Sequence, residues 1–137
     1  MKVIIAGSRD IVDYDIVEKA VNLSNFKIDE VVCGGARGVD FLGQQWALNN
    51  KVPVSSFIAE WVQYGKAAGH IRNGKMANYA DAAIVIIKNR SKGSLNMIEN
   101  AKKRKLLLFV LEYNSNNDLV HFGSDIKSEN SVLQFLK

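Results

Sequence analysis

Three glycines, an arginine and an aspartate crowd into ten residues, Val31-Val32-Cys33-Gly34-Gly35-Ala36-Arg37-Gly38-Val39-Asp40. A short β-branched run feeds into the glycines, and Val39, Leu42, Trp46 and Ala47 then recur on one helical face. Glycines at a strand-to-helix turn let the backbone approach a bound group and present its N–H donors. The helix that follows adds a positive dipole end, so the turn suits an anion, phosphate above all. The bland alternative is a tight connection whose glycines only relieve strain, but Arg37 and Asp40 are polar commitments beyond that need.

Other segments carry the same chemistry. Gly7-Ser8-Arg9 follows the first apolar run, and Arg9 and Arg37 are candidates for two-pronged phosphate contacts. Ser94, beside Gly93 at a presumed helix start, forms a second candidate anion site to which Lys92 adds charge. Asp40 suits either Arg37 or a ribose hydroxyl, or serves only the helix dipole as a first-turn acid. Trp61 and Tyr64 suit stacking on a base, and equally packing in a core or interface. Residues 65–76 put glycines, His70, Arg72 and Asn73 on one presumed helix at a cost in helix propensity, which favours a ligand-facing helix start. Neither a GxGxxG nor a GxxxxGK[ST] pattern is present, which disfavours a standard dinucleotide or NTPase site.

The elements that must position these residues are legible as alternating periods. Residues 3–6 form a continuous apolar run, the mark of a strand covered on both faces. Asp13 is placed to cap a helix carrying Ile16, Val17, Ala20, Val21 and Leu23. Strands are expected at residues 30–33, 53–57, 82–87 and 106–111, and helices at 37–49, 67–79 and 94–105. Residues 58–64 are aromatic and irregular, 88–93 form a basic loop, and 114–118 form a polar loop. Beyond that the pattern is lost, with residues 132–136 suiting a short strand or helix. The expectation is an α/β fold: a single Rossmann-like, doubly wound domain over residues 1–137 with a five-stranded, mainly parallel sheet and helices on both faces. Ligands in such sheets sit beyond the carboxyl ends of the strands, where most of the glycines, hydroxyls and cations named above converge.

Composition narrows the class. The chain has 137 residues, 47% hydrophobic and 23% charged, the balance of an ordinary globular protein. No apolar run approaches the roughly 20 residues needed to span a bilayer, so no membrane partner and a cytoplasmic location are expected. Cys33 is the single cysteine, which excludes an internal disulfide and reads as a small buried hydrophobe. Two distant histidines and one cysteine leave no metal site and no cofactor expected. The net charge of +4 is uneven: Lys88, Arg90, Lys92, Lys102, Lys103, Arg104 and Lys105 face only Glu99 in their segment. Such a run attracts polyanions, or is simply a solvated helix end.

Taken together, Gly7-Ser8-Arg9, residues 34–40 with Trp46-Ala47, residues 64–69 through Arg72-Asn73 and Met76, Ala80-Asp81-Ala82, and Ser91 to Ile98 make the chain resemble the SLOG superfamily. That group is related to DprA-type DNA-processing proteins and LOG-type enzymes, and the chain is most similar to its YspA-like branch. The resemblance covers residues 1 to about 112. It implies a nucleotide or nucleotide-derived phosphorylated ligand, of ADP-ribose, NAD-derivative or nucleoside-monophosphate type, held by a sensor or sequestering protein. The ligand-binding set it implies is Gly7, Ser8, Arg9, Gly34, Gly35, Arg37, Gly38, Asp40, Arg72, Asn73, Lys92, Gly93, Ser94 and Asn96. Oligomerisation is also implied, since LOG and DprA relatives commonly form dimers. In LOG-type enzymes a PGGxGTxxE motif supplies a glutamate for N-glycosidic cleavage, with an arginine near a preceding helix. Here Gly93-Ser94 stands at the Gly-Thr place, Arg72 matches the arginine, and Met97 stands where the glutamate would be. Binding without cleavage is the expectation. A phosphoribohydrolase using Asp40 or His70 instead, and a single-stranded nucleic-acid binder using the basic run, are the alternatives.

Overall fold

A computed structural model describes residues 1–124. The chain alternates strands and helices: β1 (Lys2–Gly7), α1 (Tyr14–Ser24), β2 (Glu30–Cys33), α2 (Val39–Asn49), β3 (Val54–Ser56), α3 (Trp61–Tyr64), α4 (Ala68–Tyr79), β4 (Ala82–Lys88), α5 (Lys92–Lys103), β5 (Leu107–Tyr113) and β6 (Leu119–Ser124). A 3-10 turn over Gly65–Ala67 joins α3 to α4. The six strands form one sheet in the order β3-β2-β1-β4-β5-β6. Every pair from β3 to β5 is parallel, and β6 returns antiparallel to β5.

The apolar runs alternate faces with the strand period of two. Val3, Ile5, Val31, Ile84 and Ile86 face α1 and α2, where they meet Val17, Ala20, Val39 and Leu42. Ile4, Ala6, Val32, Val85 and Ile87 face the other layer, against Met76, Ala77, Met97 and Ala101 of α4 and α5. Both faces of β1 and β4 are therefore covered, as their unbroken apolar sequences require. Cys33 is fully buried within β2.

Three expectations change. The sheet has six strands, not five, because the polar residues 114–118 are a hairpin loop and not the end of the pattern. Asn114 Oδ1 accepts from the Asn116 and Asp118 backbone N–H groups at 2.9 and 3.0 Å, folding the chain back so that β6 pairs with β5. Glu112 of β5 ties this edge together, accepting from Arg90 and facing His121 Nδ1 at 2.8 Å. The third strand is shorter than residues 53–57 and half exposed, since it is the sheet edge. Within the irregular residues 58–64, α3 supplies a single turn. The element expected at residues 132–136 lies outside the described residues.

Chain entry into α1 follows the sequence. Asp13 accepts from the Asp15 backbone N–H at 3.0 Å, satisfying one of the donors that a helix start leaves over. Asp13→Ala is expected to lower stability by about 1 kcal/mol, read as a lower urea midpoint at unchanged slope.

Candidate functional site

The strand order reverses between β1 and β4: the chain winds outward from β1 through β2 to β3, then resumes on the other side. At such a switch point the loops leaving the carboxyl ends diverge and leave a crevice. A cleft of about 590 Å³ lies there, lined by Gly7, Arg9 and Asp10 after β1, Ala36, Arg37 and Asp40 around the start of α2, Arg72, Asn73 and Met76 of α4, and Ser91, Gly93 and Ser94 at the start of α5. That volume is within the range of small-molecule sites.

A buried carboxylate and a guanidinium influence one another here without forming a salt bridge. Asp40 is 4% exposed, and burial pushes its carboxyl up to about 6, against the opposing pull of Arg72 and of the Ala36, Gly34 and Gly7 backbone N–H groups. Its Oδ2 accepts from Ala36 N–H at 3.3 Å. The glycine-rich turn thus spends its donors on the chain's own carboxylate. Cation chemistry in the cleft then rests on the guanidinium groups. Arg72 donates through Nη1 to the Gly34 carbonyl at 2.8 Å and through Nε to Asn73 Oδ1 at 3.1 Å. Burial lowers its pKa, Asp40 raises it, and the neighbouring Arg9 lowers it further, so Arg9 and Arg72 repel one another. Among the described residues neither Arg9 nor Arg37 has a salt-bridge partner.

The backbone explains two of the glycines. Gly38 takes φ 78°, which L side chains rarely adopt, and a Cβ there would run into the Ser8–Arg9 backbone. A Cβ on Gly34 would stand 2.5 Å from Arg72 Nη1 and 2.8 Å from Asp40 Oδ2. The bare backbone is what leaves room for both groups.

The residues expected to bind ligand divide accordingly. Gly7, Arg9, Arg37, Asp40, Arg72, Asn73, Gly93 and Ser94 are brought together on the cleft. Gly34 and Gly35 line an adjoining hollow of about 400 Å³ that shares Arg9, Ala36, Arg37 and Arg72 with it. Four residues stand behind or beside the cleft lining. Ser8 is buried and its hydroxyl accepts from Lys88 N–H at 2.8 Å, clamping β1 to β4. Gly38 packs on the loop after β1. Lys92 is exposed. Asn96 accepts from Asn73 Nδ2 at 3.0 Å and from Asn100 Nδ2 at 3.2 Å, so it orients Asn73. His70 is exposed, and Met97 is buried in the core at 1%. Ala6, Asp10, Val12, Ala36, Met76 and Ser91 complete the lining, none of them among the residues expected to bind ligand. Ser91 was legible as a cap-type residue, but placing the helix start at residue 94 hid it: α5 begins at Lys92 with Ser91 before it.

Helix α5 also divides the basic run. Lys88 to Lys92 lie at the carboxyl edge of the sheet, and Lys102 to Lys105 lie at the far end of twelve helical residues, about 18 Å away along the axis. Arg90 is engaged by Glu112, and Arg104 by Asn78 and Asn100.

Known proteins carry the same framework. The profile of the "YspA, cpYpsA-related SLOG family" matches residues 1–64. The Gene 61 protein of Mycobacterium phage D29 is 31% identical over 112 residues, covering 74% of this chain and 89% of that protein. Among solved structures, DNA processing protein A (DprA) from Streptococcus pneumoniae superposes with a TM-score of 0.65 at 24% identity, over 80% of this chain. The chain spans about half of that DprA chain, 49%.

Proposed function

We propose, for a chain that belongs to the YspA, cpYpsA-related SLOG family, that the cleft binds a nucleotide or nucleotide-derived phosphorylated ligand as a sensor or sequestering site. One observation carries this reading. Arg9 and Arg37 stand without salt-bridge partners among the described residues, beside a third guanidinium, on a concave surface at the switch point of the sheet. Like charges held together in a partly desolvated cleft raise the free energy of the empty protein, and an anion relieves it. Hydroxyl and amide groups of Ser91, Ser94 and Asn73 also line the cleft, suited to a sugar. The start of α5 adds the N–H groups that a helix leaves without internal partners.

The test is calorimetric titration with AMP and ADP-ribose, preceded by mass spectrometry of any small molecule that co-purifies. Arg37→Ala is expected to weaken binding by about 2 kcal/mol, the scale of one charge-assisted contact. Unchanged affinity removes Arg37 from the site.

A second reading is favoured by one residue. Asp40, buried with a carboxyl at about 6 beside Arg72, has the protonation range of a general acid or base for glycosidic cleavage. Release of free base from AMP, lost in Asp40→Asn, would establish it. The basic run lends little to a nucleic-acid reading, because α5 separates its two halves. The DprA likeness carries the fold, not that protein's role.

A further inference from the structure

The cleft and its adjoining hollow share only Arg9, Ala36, Arg37 and Arg72, so the three guanidinium groups stand at a junction between two lobes. The acids that line the cleft, Asp10 and Asp40, belong to the first lobe, and no acid lines the second. The lobes differ in chemistry. The first carries hydroxyl, amide and carboxyl groups. The second is walled by Ile58 and Trp61, which are 74% and 52% exposed. The Trp61 ring rests near Gly69 of α4, whose added Cβ would lie 3.7 Å from its Cη2. It has no aromatic partner among the described residues, where Phe57 pairs with Tyr79. Tyr64 is placed otherwise: it lines a third hollow, which meets the second lobe at Ile58 and Arg72, together with Lys75, whose Nζ lies 5.8 Å from the ring centre.

From this arrangement we infer that the ligand is bipartite about a diphosphate, with a planar base on Trp61, the phosphates on Arg9, Arg37 and Arg72, and a second sugar in the first lobe. The inference rests on the nucleotide reading and narrows it. Two bridged phosphates spread four non-bridging oxygens along the junction between the lobes, whereas a terminal phosphate gathers three at one point, so the diphosphate suits three separate guanidinium groups. A sugar suits the hydroxyl, amide and carboxyl groups of the first lobe and not the indole. A base suits the indole, because stacking covers apolar surface that otherwise faces water.

Three probes separate the parts. ADP-ribose carries base, diphosphate and second sugar; ADP lacks the second sugar; ribose 5-phosphate lacks the base and one phosphate. The expected order of affinity is ADP-ribose, then ADP, then ribose 5-phosphate. Trp61→Ala weakens the first two about tenfold and leaves ribose 5-phosphate unchanged, while Trp61→Phe retains most of the affinity. In a Trp46→Phe background Trp61 is the sole indole, and its fluorescence is quenched by ADP-ribose but not by ribose 5-phosphate. Equal loss for all three probes in Trp61→Ala overturns the inference, since that marks a folding defect in place of stacking. Ribose 5-phosphate and ADP binding alike, with no effect of Trp61, overturns the two-lobe arrangement and leaves the phosphate site standing. Failure of all three probes to bind the wild-type chain overturns both readings. Trp61-dependent binding of a single-stranded oligonucleotide without binding of ADP-ribose overturns it in favour of a nucleic-acid strand.

Discussion

Gly7→Ala is expected to cost about 3 kcal/mol, a large share of the stability of a small domain. Gly7 ends β1 opposite Ile86 of β4, in the parallel register that places these two strands at the centre of the sheet. A Cβ there would overlap the Ile86 carbonyl oxygen and stand 2.8 Å from Val39 Cγ2 and 2.9 Å from the Ile86 carbonyl carbon. None of this is a flexible side-chain tip that can swing away. The same carbonyl accepts from Ser8 N–H at 3.0 Å, so relief by separating the strands also removes that hydrogen bond. The clash lies under the cleft, and ligand affinity is expected to fall with stability. Urea denaturation followed by circular dichroism reads the first effect. Gly74→Ala is the control: an added Cβ on that helical glycine meets its nearest neighbours at 3.7 and 3.8 Å. It should be neutral or stabilising by up to about 1 kcal/mol through helix propensity. Equal midpoints for Gly7→Ala and wild type would show that the strands part without cost.

Asp40 sets the second large effect, through pH. Its carboxyl titrates near 6 in the folded chain against 3.8 for an ordinary aspartate. The folded state therefore holds this proton more tightly than the unfolded state does. Stability contributed by Asp40 is greatest below about pH 4, falls as pH rises to about 6, and stays flat above. Two units correspond to roughly 3 kcal/mol. Asp40→Asn keeps the shape and stays neutral, so it should match wild type near pH 4 and exceed it by up to about 3 kcal/mol at pH 8. The groups facing Asp40 are Arg72 and the backbone of Ala36, Gly34 and Gly7, with Arg9 beyond Arg72. Protonation of Asp40 releases Arg72 toward an incoming anion. ADP-ribose, whose phosphates remain ionised, should therefore bind roughly tenfold tighter at pH 5 than at pH 8, about 1.4 kcal/mol. In Asp40→Asn that dependence should vanish, with the tighter value at both pH values. Parallel pH profiles for the two proteins would remove Asp40 from control of the site. A buried carboxylate kept at a cost in stability near neutral pH is a common trade at functional sites.

Much of this molecule was legible in its amino-acid order because the information is local. Continuous apolar runs at residues 3–6 and 82–87 require cover on both faces, and that requirement alone implies a parallel sheet between helices. Asp13 announced the start of α1, and glycines beside cations marked the turns at the carboxyl edge. The sixth strand was not legible. Its half-exposed residues lack the apolar run of a central strand, and only pairing with β5 makes them regular. Nor could the Ser8 hydroxyl be assigned, since its partner Lys88 is eighty residues away.

The sharpest division falls on the glycine-rich turn and Asp40. The sequence by itself determined that residues 34–40 would present backbone donors to an anion, because glycine, a β-strand end and a helix start dictate that chemistry locally. Only the tertiary structure decided which anion takes them. Packing of α2 against β1 turns Asp40 inward at 4% exposure, where its carboxylate accepts the Ala36 N–H and feels the charge of Arg72 from α4, whose guanidinium donates to the Gly34 carbonyl. In the proposed site, an external phosphate would fall to the guanidinium groups and to the start of α5. Charges brought near one another across 32 residues, as those of Asp40 and Arg72 are, are a property of the assembled sheet and of no segment taken alone.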